Sequence, residues 1–152
     1  MKTTDISELY QKLQQKCFDV FFEIEAGFCT AFEELEEKPV FVKAFISLVN
    51  WNNLSSSDGS CAFYEDYIPE RADKSYLTSV LLVLKKMDGK DEICRFFQSG
   101  FQDEMKDNPS DEKNKKYRVI DDYIDDHFEE IWETEEMILK KYKQEIIGLF
   151  SK

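Results

Sequence analysis

The amino-acid sequence predicts an all-α, single-domain bundle of about five or six helices, with long helices at both ends. Three observations predict it. Apolar residues recur at steps of three and four over long stretches, which is the period of an amphipathic helix. Five glycines and three prolines in 152 residues are too few for a loop-rich β fold. Thirteen phenylalanines and 42% hydrophobic residues supply a core that a chain of this length buries without disulfides or metals. Residues 1–152 read as one domain, because no linker-like tract divides them.

Each element follows from its local pattern. Ile6, Leu9, Leu13, Cys17, Val20, Ile24, Phe28, Ala31 and Leu35 form one stripe. They predict a single long helix with Thr4 as N-cap, ended at Glu36-Glu37-Lys38 by the following Pro39. Gly27 costs about 1 kcal/mol in a helix interior and marks a kink. Pro39 opens the second helix, whose apolar face is Phe41, Phe45, Leu48 and Val49. Asn50–Ser60 reads as the clearest loop, and its Asp58-Gly59 suits a turn. Cys61–Ile68 does not alternate, so it reads as a short helix or irregular segment ended by Pro69. Ser75–Met87 is nearly all apolar and predicts the central buried helix, closed by Asp88-Gly89. Ile93, Phe96, Phe97 and Phe101 mark a helix over Lys90–Met105, with Gly100 ending or kinking it. The polar stretch Asp107–Lys116 contains Pro109 and reads as a mobile loop. The last helix runs from Lys116 to Phe150 on a stripe of Ile120, Ile124, Phe128, Ile131, Ile138, Tyr142, Ile146 and Leu149.

Composition narrows the function. Lysine and arginine total 20 against 32 aspartates and glutamates, a formal charge of −12. Nucleic acids and anionic membranes need counter-charge, so both are excluded as direct partners, and a basic protein is favoured. Met1–Gln15 has no apolar signal core and no run reaches a membrane span, so a cytoplasmic location is expected. Cys17, Cys29, Cys61 and Cys94 form no close pair and have apolar neighbours. They read as reduced, mostly buried thiols rather than zinc ligands or a redox motif. The single histidine, His127, cannot supply the paired Glu-x-x-His motifs of a di-iron bundle. It lies beside the apolar stripe and reads as a satisfied core-edge side chain. No EF-hand or phosphate-loop pattern occurs, so no metal, cofactor or catalytic residue is assigned.

The last helix carries the strongest charge pattern. No lysine or arginine stands between Arg118 and Lys140. On a helical projection Asp122, Asp125, Asp126, Glu129, Glu130, Glu133 and Glu136 all face away from the apolar stripe. They span roughly 21 Å, about one charge per 3 Å, close to the phosphate spacing along a DNA strand. Like charges one turn apart repel by a few tenths of a kcal/mol per pair. A helix needing only solubility gains energy by alternating Glu with Lys, although an acidic face that merely solvates is the simpler alternative. A second basic-free stretch, Cys17–Glu37, carries further carboxylates. Glu135 breaks the pattern by projecting into the apolar stripe. A bend near Thr134, a cation from another segment, or a thinning core each relieves it, and the last, leaving Glu135 partly exposed, is the expectation. Glu133 and Glu136 are expected to be exposed in every case.

The middle of the chain combines a Phe45–Asn50 helix, a turn at Asp58-Gly59-Ser60, the aromatic pair Phe63-Tyr64, and a Tyr76–Leu84 helix before Asp88-Gly89. In these motifs it resembles a bacterial domain family of unknown function typified by a DNA-mimic protein. The Tyr123-Ile124 and His127 pattern matches the family's closing motif. Asp-Gly-Ser stands where the family has Asn-Gly-Gly, after a longer Ser-rich loop. The resemblance implies an all-α fold, a homodimer as one assembly, and, for at least one member, binding of a DNA-binding regulator through acidic surface.

The functional expectation is a non-enzymatic acidic interaction domain for a basic partner, either a DNA-binding regulator or a toxin that it neutralises. The alternative is a small enzyme or ligand-binding module with a pocket between helices. A flat acidic face favours the first reading and a convergent pocket the second. Because a −12 chain has no basic stripe to release counterions from phosphates, it is expected to leave a labelled DNA duplex unbound at micromolar concentration. A mobility shift at physiological salt contradicts this.

Overall fold

In a computed structural model, which describes residues 3–15, 18–101 and 110–151, the chain is all-helical with short connections. Among these residues there is no β-strand, and there are eight α-helices rather than five or six, because both long terminal helices are broken. The helices are α1 (Thr3–Gln14), α2 (Phe18–Glu33), α3 (Val40–Asp58), α4 (Ile68–Arg71), α5 (Lys74–Lys85), α6 (Asp91–Ser99), α7 (Ser110–Lys141) and α8 (Lys143–Leu149). A π-helical turn, Ala62–Tyr67, leads into α4. No helix among the described residues is long and apolar enough to cross a membrane.

The single N-terminal helix is corrected first. Ile6, Leu9 and Leu13 on α1 and Ile24, Phe28 and Ala31 on α2 are all buried, but they belong to two helices packed on each other. Gly27 is not a kink. A Cβ there would stand 2.5 Å from Leu9 Cδ2, so the glycine makes room for Leu9 of α1 against α2. The Tyr10 hydroxyl donates to the Leu139 carbonyl at 2.7 Å and ties α1 to α7.

The Asn50–Ser60 loop is also corrected, because α3 continues to Asp58. Polar side chains satisfy themselves along the helix instead of breaking it. Asn50 Nδ2 donates to Ile46 O at 2.8 Å and Ser56 Oγ to Asn52 O at 2.9 Å. Trp51, Asn52 and Ser55 are buried, so the helical period runs straight through the polar composition. Gly59 caps the helix. Ser60 Oγ then donates to the Tyr117 carbonyl at 3.1 Å, pinning this end to α7.

As a result α3, not the Ser75–Met87 segment, is the central helix. It packs against α5 on one side and α7 on the other. On α5, Leu77, Val80, Val83 and Leu84 are buried, whereas Leu82 is exposed. Pro69 opens α4 rather than ending the preceding segment. Gly100 ends α6, and the residues expected to carry that helix on to Met105 lie largely outside those described. Asp107–Pro109 of the expected loop also lie outside, while Ser110–Lys116 is already helical.

The core is aromatic. Phe28, Phe32, Phe45, Trp51, Phe63 and Phe97 are fully buried, each contributing roughly 1.5–3 kcal/mol by leaving water. Edge-to-face contacts join Trp51 to Phe97 at 5.2 Å and Phe32 to Phe45 at 5.5 Å. Among the thiols, Cys29 and Cys94 are half-buried and unbridged, but Cys61 is exposed, against the expectation of burial; Cys17 lies outside the described residues. Burial and the carboxylates of Glu25 and Glu33 push the Cys29 thiol up to about 12.

A Cβ on Gly100 would fall 2.2 Å from the Tyr64 ring, whose hydroxyl is held by the Phe97 carbonyl. Gly100→Ala is therefore expected to lower stability by about 1–3 kcal/mol in urea unfolding. A midpoint equal to that of the parent chain contradicts the packing at this corner.

Candidate functional site

Two features set how α7 presents its side chains. The first is a kink at His127, where φ is −129° and ψ is 21°. The Nδ1–H of its ring donates to the Tyr123 carbonyl at 2.8 Å, and the ring stacks on Tyr123 at 4.2 Å. Its Nε2 lies 3.8 Å from a Glu92 carboxylate oxygen. His127 is thus a satisfied core-edge side chain, and it also occupies the bend. The second is a break at Tyr142, which separates α8 from α7.

The acidic residues lie mostly as the helical projection places them. Asp122, Asp125, Asp126, Glu129, Glu130 and Glu133 are exposed, and none forms an ion pair with a described residue. Glu136 is the exception. It is half-buried, and its carboxylate meets Lys140 Nζ at 2.7 Å.

The apolar stripe holds at Ile120, Ile124, Ile131 and Ile138, all buried. Phe128 leaves it and is 40% exposed. A projection at 100° per residue assumes a straight helix, and the kink one residue earlier invalidates it. Phe128 packs edge-to-face on Trp132 at 5.4 Å. Phe22 of α2, 57% exposed, packs edge-to-face on the same indole at 5.1 Å. These rings, with Asn53 and Ser57 of α3, line an open groove of about 490 Å³. The surface is therefore not the flat acidic plane that the interaction reading expects. A second, mainly apolar hollow of about 500 Å³ lies over Tyr64, Ile68 and Leu77, with Asp73 and Lys74 in its lining and no described residue of α7.

Glu135 departs most from expectation. It is fully buried rather than partly exposed. Its partner is no cation but a second buried carboxyl, Glu25 of α2, which is 2% exposed. No described donor reaches any of the four oxygens at full hydrogen-bond geometry. The Asn53 side chain is near enough to favour the charged form of Glu25. Burial, reinforced by Glu25, raises the Glu135 carboxyl well above the usual carboxylate range. Burial likewise raises Glu25. Two carboxyls buried against each other cannot both ionise without a large cost, so the arrangement that fits is a pair that shares a proton. In the sequence Glu25 is only one of the further carboxylates of the basic-free stretch Cys17–Glu37. Its signal was spacing, since it stands four residues after Phe21, three before Phe28 and seven before Phe32, all buried.

Among the described residues no three histidine, cysteine, aspartate or glutamate side chains converge as a metal site. Comparison with protein-family models, curated proteins and solved structures returns no match.

The buried pair fixes a pH dependence. Folding raises both carboxyls above the ordinary value of 4.5, so the folded chain holds protons that the unfolded chain releases. This contribution is complete below the unfolded value and is lost as pH rises through the folded ones. Glu135→Gln keeps the donor and removes the titration. It is expected to stabilise the chain by on the order of 1–3 kcal/mol at about pH 9 and to change it little at about pH 5. Equal destabilisation at both pH values, read by thermal melts, contradicts the shared-proton pair.

Proposed function

We propose that this chain is a non-enzymatic acidic interaction domain that binds a basic protein partner through α7. The observation that carries the proposal is the exposed ladder Asp122, Asp125, Asp126, Glu129, Glu130 and Glu133, unneutralised by described cations. No lysine or arginine occurs from Val119 to Leu139, so the cations of α7 stand only at its two ends, at Lys113–Arg118 and Lys140–Lys141. The repulsion along the ladder is offset when a surface of opposite charge meets it. A row of carboxylates on a helix anchored to a packed core needs no ordering of its backbone on docking. Such a row stands in for phosphates before the basic surface of a DNA-binding regulator, or covers the basic surface of a toxin. Association is steered by charge and weakens with salt. The resemblance to the DNA-mimic-typified family supports the first kind of partner.

Affinity capture on the immobilised chain tests this. Proteins retained at ~50 mM salt and released at ~500 mM are expected to be basic. A Asp125→Lys, Glu129→Lys, Glu133→Lys variant is expected to retain none of them. Salt-insensitive capture of neutral proteins, unchanged in the variant, contradicts the proposal.

A further inference from the structure

The aromatic groove beside the acidic ladder is not explained by charge mimicry. Phosphate-like surfaces need no exposed phenyl rings, and exposed aromatics in water are unfavourable unless something covers them. Phe22 and Phe128 each stand nearly perpendicular to Trp132, at 86° and 87°, from two different helices. The opposite wall is polar, with Asn53 and Ser57 of α3. Past the kink, helical spacing puts the exposed Glu129 one turn before Trp132, and the exposed Asp125 stands three residues before Phe128 on the preceding half of the helix. The helical segments that build the groove carry no lysine or arginine over residues 18–37, 44–70 and 119–139.

We infer that the groove seats an apolar side chain of a basic, amphipathic segment of the partner, whose flanking lysines or arginines meet Asp125 and Glu129. This rests on the reading of α7 as a partner surface and adds to it a specific anchor point. Charge complementarity selects the occupant. A second copy of a chain carrying −12 would bring a like-charged rim against this one, and an anionic lipid surface is repelled in the same way. A basic segment instead gains from the rim and from the apolar floor. The groove thus distinguishes a basic partner with a matching apolar anchor from one that is merely basic.

Two fluorescein-labelled synthetic peptides of equal charge test this by anisotropy, one of lysines and serines, the other with leucine and phenylalanine in place of two serines. The apolar peptide is expected to bind the full chain about tenfold more tightly at moderate salt. Phe22→Ala with Phe128→Ala is expected to erase that preference and leave the lysine–serine peptide unchanged. Asp125→Asn with Glu129→Gln is expected to weaken both peptides. Ser57→Lys, which blocks the groove from α3 without removing a ring, gives the same loss of preference if the double alanine variant is poorly folded. Equal binding of the two peptides, or a preference that survives the groove variants, overturns the groove and leaves the acidic surface standing. Failure of either peptide to bind at low salt overturns both. Sedimentation of the chain as a dimer that Phe22→Ala dissociates gives the groove to a second copy and overturns the proposal.

Discussion

The rotation of α7 about its own axis is the constraint on which the surface depends. Glu135 points inward, fully buried, toward the buried Glu25 of α2. Ile131 and Ile138 lie on the same inward face. With that face fixed, Asp122, Asp125, Asp126, Glu129, Glu130 and Glu133 have only the outward directions left. A carboxyl pair is an uncommon way to fix a register. Removing one member leaves the other buried without a hydrogen-bonding partner, which costs the desolvation of that group. Alternative rotations that expose one glutamate and bury its neighbour are therefore disfavoured by the same desolvation that makes the native pair expensive.

The kink at His127 converts this constraint into a site. Before it, α7 presents Tyr117, Ile120 and Ile124 to the core. After it, the inward direction has shifted enough to leave Phe128 against solvent beside Phe22, while Trp132 closes the gap between them. Acidic ladder and aromatic groove are thus products of one helix that changes its facing partway along. The Tyr10 hydroxyl on the Leu139 carbonyl and the Ser60 hydroxyl on the Tyr117 carbonyl hold the two halves to different neighbours. The side chains of the surface are consequently set by core contacts rather than by one another.

The sequence made the class of fold legible, along with Pro39 as a helix start, the Asp88-Gly89 turn and six of the seven outward carboxylates. Periodicity failed where it had to locate a break, because the α1 and α2 stripes run on in register and Gly27 drew attention from the true junction. It was overruled at Asn50–Ser60, where polar composition hid a helix that feeds its serine and asparagine side chains back to its own carbonyls. Phe128 was misplaced because a uniform projection cannot contain a bend. Glu25 was missed because a lone carboxylate reads as surface unless its partner is known, and that partner stands 110 positions later in the chain. Exposure of Cys61 has no signature in its apolar neighbours either.

The most direct measurement is a carbon-13 titration of the glutamate side-chain carboxyls by nuclear magnetic resonance. It reads the inward placement of Glu135 without relying on a partner or on global stability. The account predicts that the Glu135 carboxyl keeps the shift of a neutral acid well above the usual carboxylate range, with a coupled inflection at Glu25 that disappears in Glu135→Gln. A Glu135 resonance that titrates in the ordinary range, independently of Glu25, would place that side chain in water. It would rotate α7, and with it the acidic ladder and the groove, out of the arrangement described.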